Sequence, residues 1–237
     1  MKNKPACVIL HYRPTRQSII DNIRPNMTLS EPKIKTSEKD TKQKILDAAI
    51  NIFANKGYHD TRVDEIVERS QTSKGAVYFY FPSKEQIFLA IINKFASMLK
   101  ERLVDAIEAE ESGVNKVNAA LHTSLEVFGQ YRSLAKIFLV QATGLGKIFE
   151  EKRIEIHNQF AVVIKNQLDQ AVKEGGIPAI DTEIASYVWM GAINDVIIRW
   201  VQTGQPDPSR AIPVLRTMLL QSIGVPEARI RSFNDDH

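Results

Sequence analysis

The sequence predicts an all-α protein, and three observations lead to that prediction. Helix-forming residues dominate its 237 positions, glycine occurs only 11 times, and the alternating Val- and Thr-rich runs typical of strands are almost absent. A hydrophobic content of 43% is enough for a substantial core, and the length fits one large domain or two small ones. We therefore expect helices along most of the chain.

The first 36 residues differ from the rest of the chain in composition. They contain four scattered prolines and no sustained hydrophobic periodicity, so we predict that residues 1–36 are a disordered extension. They carry seven basic residues against two acidic ones, whereas residues 101–237 carry fourteen against eighteen. With ten against eight over residues 37–100, the excess of positive charge lies in the first hundred residues, as in a protein with one nucleic-acid-binding end.

The composition also bears on the compartment. A single cysteine, Cys7, excludes an intramolecular disulfide and favours a reducing cytoplasm. No apolar stretch reaches the roughly 18–20 residues that a membrane-spanning helix needs. The nearest, YVWMGAINDVIIRWV, is interrupted by Asn194, Asp195 and Arg199. We therefore expect a cytoplasmic protein without a membrane partner.

Order is expected to begin at TSEKDTKQKILDAAINIFANKG, where Thr36 or Ser37 can cap a first helix. Its apolar positions recur at helical spacing: Ile45, Ala49, Ile52 and Phe53. Gly57 suits the position just beyond the helix end. The following segment, YHDTRVDEIVERS, predicts a short second helix capped by Asp60 or Thr61, with acidic residues in its first turn.

The stretch SQTSKGAVYFYF predicts a third short helix that follows a tight turn. Ser73 is its expected N-cap, and the helix should end at Phe81 because a residue before proline avoids helical geometry. Val77 and Phe81, four residues apart, are the expected core pair. Tyr78 and Tyr80 are two apart, so they cannot both share that buried face, and at least one must point outward.

Ser83 is expected to cap a long fourth helix, and the pattern stays helical beyond Gly113. We place the later helices at five segments: about 114–129, 131–142, 148–174, 181–203 and 208–223. These elements divide the chain into a small helical domain at residues 37–85 and a larger one at residues 86–225. Residues 226–237 are expected to be a flexible tail.

A longer amphipathic helix followed by two short helices around a tight turn is the helix-turn-helix arrangement. In that arrangement the second short helix enters the major groove of DNA, about 12 Å wide, with its N-terminal residues facing base edges. Ser73 would offer its hydroxyl and the backbone amides behind it to a phosphate, and Lys74 would reach a phosphate or a guanine edge. Gly75 has no Cβ, so the backbone could approach DNA closely.

The pattern T-x-V-x-x-I-V-x-x-S-x-x-S-K-G-A-V-Y-x-Y-F-x-S-K-E resembles the DNA-binding domain of the tetracycline-repressor (TetR) family of bacterial regulators. The matching positions are Thr61, Val63, Ile66, Ser73, Gly75, Val77, Tyr78, Tyr80, Phe81, Ser83, Lys84 and Glu85. The likeness covers roughly residues 40–90, including the preceding ILDAAINIFANKGY. Downstream, EEKRIEIHNQF and VWMGAINDVIIRWVQTG are similar, more weakly, to the ligand-binding body of TetR regulators, including those of the fatty-acid-degradation type.

The resemblance implies DNA contacts for eight positions: Thr61, Ser73, Lys74, Gly75, Ala76, Tyr78, Tyr80 and Lys84. Thr61 would cap the second helix and touch a phosphate, and Lys84 would bind another. The residues around Lys74 would meet the major groove, and the two tyrosine hydroxyls would point at the sugar-phosphate backbone. The family usually has Gly where this chain has Gln71, a turn position that tolerates positive φ, so Gln71 is expected to be mildly strained.

The larger domain carries the candidate effector contacts, because the resemblance implies a pocket within its core. The candidates are Phe128, Phe138, Trp189, Asn194 and Asp195. Asp195 and Arg199 stand four apart; they either form a local ion pair or serve, with Asn194, as polar groups that line a pocket or a dimer seam. The helix at 181–203 is apolar almost all round, as expected if a pocket wall covers one side and a partner subunit the other.

No catalytic, cofactor or metal site is predicted. The sequence shows no paired catalytic carboxylates, no Cys–His couple and no glycine-rich phosphate loop, so an enzyme is not expected. His122 and His157 lie in predicted helices without a second ligand four residues on. Each is a better candidate for a packed or solvated histidine than for a metal ligand.

Together the patterns and the resemblance predict a TetR-like transcriptional regulator of two helical domains, most simply a repressor. A homodimer would bind a palindromic double-stranded DNA operator through two recognition helices. A small apolar effector, for which the downstream likeness suggests fatty acyl compounds, would select a conformer with wrongly spaced recognition helices, and the fourth helix would be the lever. The alternative is a DNA-binding architectural protein that senses no ligand. A closed apolar cavity would favour sensing, and a filled core the architectural role.

Overall fold

Helices account for every regular element in the part of the chain that the structure describes. The computed structural model describes residues 34–235, with side-chain surroundings from residue 40 to residue 233. The helices are α1 Ile34–Lys56, α2 Val63–Ser70, α3 Lys74–Tyr80, α4 Lys84–Glu108, α5 Gly113–Gln130, α6 Arg132–Ala135, α7 Lys147–Lys173, α8 Thr182–Thr203, α9 Pro208–Ser222 and α10 Glu227–Asp235. A π-helical segment, Lys136–Gln141, continues α6. The predicted all-α fold is confirmed.

Short polar side chains cap five of the described helices, as the sequence predicts for α3 and α4. The Ser73 hydroxyl accepts the Ala76 N–H at 3.0 Å, and the Ser83 hydroxyl accepts the Gln86 N–H at 3.2 Å. Asp207 caps α9 ahead of Pro208 in its first turn. The second helix departs from the prediction, because its N-cap is Arg62, whose backbone N–H donates to the Glu65 carboxylate at 3.1 Å.

The helices α1 to α3 and the first turns of α4 enclose one apolar cluster. Val77 and Phe81 are both buried in it, which confirms the predicted core pair. The Phe53 ring of α1 packs edge-on against Phe88 of α4, with ring centroids 5.1 Å apart. This packing fixes the rotational setting of α3, and that setting decides which of its side chains face solvent.

The later helices pack around α5. This helix lies against α4, α7 and α9, and α7 packs along α8. At the start of α5 the backbone runs so close to α7 that a Cβ on Gly113 would lie 2.7 Å from the Ala171 backbone. Larger residues at position 113 would therefore force α5 and α7 apart. Among residues 34–235, no helix is both long enough and apolar enough to cross a membrane.

The predictions for the two ends of the chain have different outcomes. The predicted extension at residues 1–36 lies outside the described residues, apart from its last three, which begin α1. The expected flexible tail at residues 226–237 instead includes α10, in which Ile230 and Phe233 are buried. These two side chains, three apart, share one helical face, and packing of that face onto the bundle is what orders the segment.

Candidate functional site

The third helix presents one face to solvent. Ser73, Lys74, Gly75 and Tyr78 are exposed on it, with 43% of Tyr78 accessible, while Ala76 and Tyr80 are half-buried. All six are among the predicted DNA-contacting residues, and α3 brings them together. The prediction that at least one tyrosine faces outward is confirmed by Tyr78.

Phe79 is the most exposed large apolar side chain of this face, and the sequence interpretation passed over it. Its side chain is 77% accessible, and its ring stands edge-on to that of Tyr80, with centroids 5.2 Å apart. The helical register could have revealed it. A residue two positions from both Val77 and Phe81 is turned about 200° from each, so it points away from the core that they fill.

Lys74, predicted to reach DNA, is held by a neighbouring carboxylate. Its Nζ lies 2.7 Å from Oδ1 of Asp64, and both side chains are exposed. The hydrogen bond from Lys74 to Asp64, and then the charge of Asp64, raise the pKa of the lysine. An exposed pair of this kind contributes little to stability, so the lysine can exchange Asp64 for a phosphate at small cost.

Lys84 is oriented inward, contrary to the expected phosphate contact. Its Nζ donates to the backbone carbonyls of Tyr58 at 2.7 Å, Thr61 at 2.9 Å and His59 at 3.2 Å. The same ammonium lies over the Tyr58 ring, 4.5 Å from its centroid. Because all three ammonium protons have acceptors in the protein, this geometry assigns Lys84 to the turn that precedes α2 rather than to DNA.

Thr61 has a matching role in the same turn. Its side chain is only 2% accessible, and its hydroxyl donates to the Gly57 carbonyl at 2.7 Å. It neither caps α2, whose N-cap is Arg62, nor offers surface to a phosphate. Thr61 and Lys84 together fix the chain between α1 and α2. Neither side chain is part of the exposed face of α3.

Gln71, expected to be strained, lies in the turn between α2 and α3. Its backbone adopts φ 54° and ψ 38°, the left-handed region, and its N–H closes the end of α2 on the Glu68 carbonyl at 3.2 Å. Within residues 34–235 it is the one residue other than glycine with positive φ. Side chains with a Cβ are disfavoured there, so the expected mild strain is present.

A cavity of about 260 Å³ lies in the larger bundle, between α4, α5, the π-helical segment, α7 and α8. Its walls are mostly apolar, and four of the five predicted effector contacts line it: Phe128, Phe138, Trp189 and Asn194. The fifth, Asp195, is exposed and outside the cavity, because one residue along a helix turns the side chain by about 100°. Among the ion pairs of residues 40–233, none joins Asp195 to Arg199.

The cavity has a few polar side chains, and the sequence interpretation selected Asn194 but neither Arg153 nor His157. Arg153 and His157 line it from α7, one turn apart, and Asn194 lines it from α8. Glu150 accepts two hydrogen bonds from Arg153, at 2.9 and 3.0 Å. Burial, and then the charge of Arg153, lower the pKa of His157 below its ordinary value. No group of His, Cys, Asp and Glu side chains that could hold a metal ion is found in residues 34–235.

The cavity wall also touches the helix-turn-helix region. In the π-helical segment, Phe138 lines the cavity, while Lys136 and Gln141 donate to backbone carbonyls of α1. The Lys136 Nζ lies 2.7 Å from the Ala54 carbonyl and the Gln141 Nε2 lies 2.8 Å from that of Phe53. Departures from the α-helical pattern of this kind are frequent at functional sites.

An apolar stripe runs along the exposed sides of α8 and α9, which pack against each other. It consists of Ile184, Tyr187, Val188, Val214 and Met218. Val188 and Met218 are 58% and 60% accessible. Side chains at this spacing form one continuous face on each helix, and adjoining exposed apolar faces are typical of interaction sites.

Comparison with known proteins shows what the helix-turn-helix region is similar to. Residues 45–91 match the model of a family described as bacterial regulatory proteins, tetR family. The match runs from the middle of α1 through α2 and α3 to the early turns of α4, so it contains the whole exposed face of α3.

Relatives extend the likeness to the larger bundle. The fatty acid metabolism regulator protein of Bacillus subtilis (strain 168) is 22% identical over 162 residues, which are 68% of this chain and 84% of the relative. The crystal structure of the regulator FadR from Bacillus subtilis, in complex with stearoyl-CoA, superposes with a TM-score of 0.68 at 20% identity, over 78% of this chain and 99% of that one. The fatty acid degradation regulator FadR from Bacillus halodurans gives a TM-score of 0.69 at 18% identity, over 75% and 97%. The structural matches show a shared fold.

Proposed function

We propose that this chain, which belongs to the TetR family of bacterial transcriptional regulators, is a repressor that binds operator DNA as a homodimer and is released by an apolar effector. The observation that carries the proposal is the direct connection, within one chain, between the helix-turn-helix region and the bundle with the cavity. The helix-turn-helix region, whose α3 has an exposed polar and aromatic face, is linked to a bundle that encloses a cavity by hydrogen bonds from Lys136 and Gln141 to α1.

The exposed face of α3 supports the DNA-binding part of the proposal. Lys74 supplies a cation, Tyr78 a hydroxyl, and Gly75 a position where the backbone can approach closely. Buried Val77 and Phe81 hold the helix while leaving this face free. A helix in the major groove needs this division between a fixed inner side and a free outer side.

The stripe on α8 and α9 supports the homodimer. Its five apolar side chains lie on two adjacent helices, so a second copy related by a two-fold axis would place the same four faces together as a bundle. Gly191, on the same side of α8, has nothing within 4 Å of where a Cβ would lie, which leaves room for a closely packed partner. Two recognition helices related by that axis match a palindromic operator.

The cavity supports sensing over the alternative of a ligand-independent architectural protein. Its apolar walls suit an alkyl chain, and Arg153, His157 and Asn194 offer polar contacts for the group at the end of that chain. The Bacillus subtilis FadR structure contains stearoyl-CoA. We therefore propose a fatty acyl compound as the effector class for this chain. That the protein is no enzyme and needs no cofactor stays a prediction.

Two elements are placed to transmit effector binding. The long helix α4 lines the cavity with Leu99 and Leu103 and anchors the turn before α2 through Lys84. The π-helical segment lines the cavity with Phe138 and holds the last turn of α1 through Lys136 and Gln141. Displacement of either element by an effector would move the helix-turn-helix region, which is the differential contact that release requires.

Selection of DNA by the full-length protein tests the DNA-binding part directly. Random duplex DNA is selected for binding, and affinity for the recovered sequence is measured against salt by fluorescence anisotropy. We expect a palindromic sequence bound at least about a thousandfold more tightly than random DNA, with affinity falling steeply as salt rises. Recovery of no common sequence, with equal affinity for all duplexes, would reject a sequence-specific regulator.

A further inference from the structure

Phe79 has no partner that explains its position within the described part of the chain. It is 77% accessible on the second short helix of the helix-turn-helix, and its one ring contact is with the edge of Tyr80. A phenyl ring neither donates nor accepts an ordinary hydrogen bond, so it cannot take the phosphate role given to Lys74 or Tyr78. Burial of the ring requires an apolar group on the surface that covers α3.

The surroundings of Phe79 indicate where that apolar group would lie. Gly75, one turn earlier, lies on the same side of α3, and a Cβ there would meet nothing closer than Ser73 Oγ at 3.9 Å. The surface in front of the ring is therefore open toward the N-terminal end of the helix, the end that faces base edges in a docked helix-turn-helix. The contact with Tyr80 limits the freedom of the ring, which lowers the entropy lost when the ring is covered.

We propose that Phe79 reads thymine, by packing its ring against the 5-methyl group of thymine in the major groove. The inference rests on the proposed DNA binding. The thymine methyl is the apolar group that base edges present in the major groove, and phenylalanine is among the side chains that contact it. Phe79 is exposed beside Gly75, and Lys74 and Tyr78 are exposed on the adjoining side of α3, so a base edge is the apolar surface that a docked helix would bring to the ring.

Replacement of thymine by deoxyuridine in the selected operator tests the inference with a single methyl group. The exchange preserves base pairing, and each thymine of one half-site is replaced in turn, with its symmetry mate. We expect one or two positions at which the wild type loses affinity by about fourfold per methyl group, the value of one buried carbon. The Phe79→Ala variant should bind the thymine and deoxyuridine operators at these positions equally. Phe79→Leu should keep part of the difference.

The same measurements separate the possible failures. If Phe79→Ala weakens binding but keeps the full response to deoxyuridine, another residue contacts the methyl group and the inference is wrong. If no operator position distinguishes thymine from deoxyuridine, the ring packs on deoxyribose or stays exposed, and the inference is also wrong. Failure to select any sequence would reject the proposed function itself, which is a separate result. Unfolding curves of the variants check that a change at this exposed position leaves the fold intact, as we expect.

Discussion

At the scale of single residues, the turn between α1 and α2 is held by side chains whose types suggest a DNA contact. Lys84 closes this turn by donating to three backbone carbonyls, and Thr61 closes it from within by donating to Gly57. The turn sets the direction in which α2 leaves α1. It therefore also positions α3, so we expect both residues to affect DNA binding through structure rather than contact.

Substitution of Lys84 separates the two roles. Lys84→Met keeps the apolar stem and removes the donors, so we expect the free energy of unfolding to fall by about 1–3 kcal/mol as three carbonyls lose a charged partner. Urea unfolding followed by circular dichroism measures this, with the exposed Lys44→Met as the matched control. Unchanged stability, together with weaker binding to all DNA sequences, would instead assign Lys84 to a phosphate.

The pair between Asp64 and Lys74 predicts a variant with increased DNA affinity. Asp64→Asn removes a negative charge beside the proposed DNA-binding side of α3 and frees Lys74. We expect two- to fivefold tighter binding at low salt, roughly, with the gain fading as salt screens the charge. Fluorescence anisotropy with Glu111→Gln, an exposed acid outside this region, is the control. Equal or weaker binding by Asp64→Asn would show that the carboxylate positions Lys74 for DNA.

Gln71 predicts a stabilising substitution. Gln71→Gly relieves a left-handed backbone conformation, and we expect the free energy of unfolding to rise by about 0.5–1 kcal/mol despite the greater entropy of glycine in the unfolded chain. The control, Glu68→Gly, places glycine inside α2 and should cost about 1 kcal/mol. Thermal unfolding compares the two, and a loss of stability in both variants would contradict the assigned strain.

At the scale of elements, α8 lines the cavity on one side and carries part of the apolar stripe on the other. Trp189 and Asn194 face the cavity, while Tyr187 and Val188 face outward on the stripe shared with α9. Cover by the core on one side and by the proposed partner subunit on the other would account for a sequence that is apolar almost all round. It also places the proposed effector contact and the proposed subunit contact one helix diameter apart, so that a shift of α8 would alter both.

The stripe predicts how the dimer can be broken. Val188→Glu and Met218→Glu, singly and together, place carboxylates in the proposed seam, and we expect dissociation to monomers because buried charges without partners are costly. Light scattering after size exclusion measures the mass. Val162→Glu, a change at an exposed apolar residue of α7 outside the stripe, should leave the dimer intact. A double variant that stays dimeric would place the subunit contact elsewhere.

Local periodicity predicted the helices well but the tertiary contacts of their side chains poorly. The four-residue spacing of Val77 and Phe81 was enough to predict the core side of α3, and the same register would have identified Phe79 as exposed. Lys84 could not be assigned in this way, because its acceptors lie 23 to 26 residues earlier in the chain. Its contacts depend on how α4 packs beside the turn, which sequence spacing does not encode.

The larger bundle shows the same limit at the cavity. Four aromatic and polar candidates lie on its wall, but Asp195 does not, because a helix that is apolar on every side gives no register for its few polar residues. Arg153 and His157 carry no distinguishing pattern in the sequence, and only the packing of α7 beside α8 turns them toward the cavity. The helix α10 was missed because two apolar residues in a short segment are too weak a periodic signal.

At the scale of the whole molecule, the central claim is that the cavity and the recognition helix are coupled. The contacts that would carry the coupling run from Phe138 through Lys136 and Gln141 to the last turn of α1, and along α4 from Leu103 to Lys84. A ligand that fills the cavity can weaken DNA binding only if it binds the DNA-competent conformer less well than another. The size of that difference is a measurable coupling free energy.

The most direct test is titration of an acyl-CoA series into the preformed complex of the protein with its selected operator, followed by fluorescence anisotropy. We predict that a long-chain acyl-CoA lowers operator affinity by about 5- to 150-fold, the usual range of coupling between two sites, while coenzyme A alone does not. Ser124→Trp, which places an indole in the cavity, should bind the operator without responding to the ligand. Acyl-CoA that binds the protein with unchanged operator affinity, or a Ser124→Trp variant released as readily as the wild type, would contradict the claim.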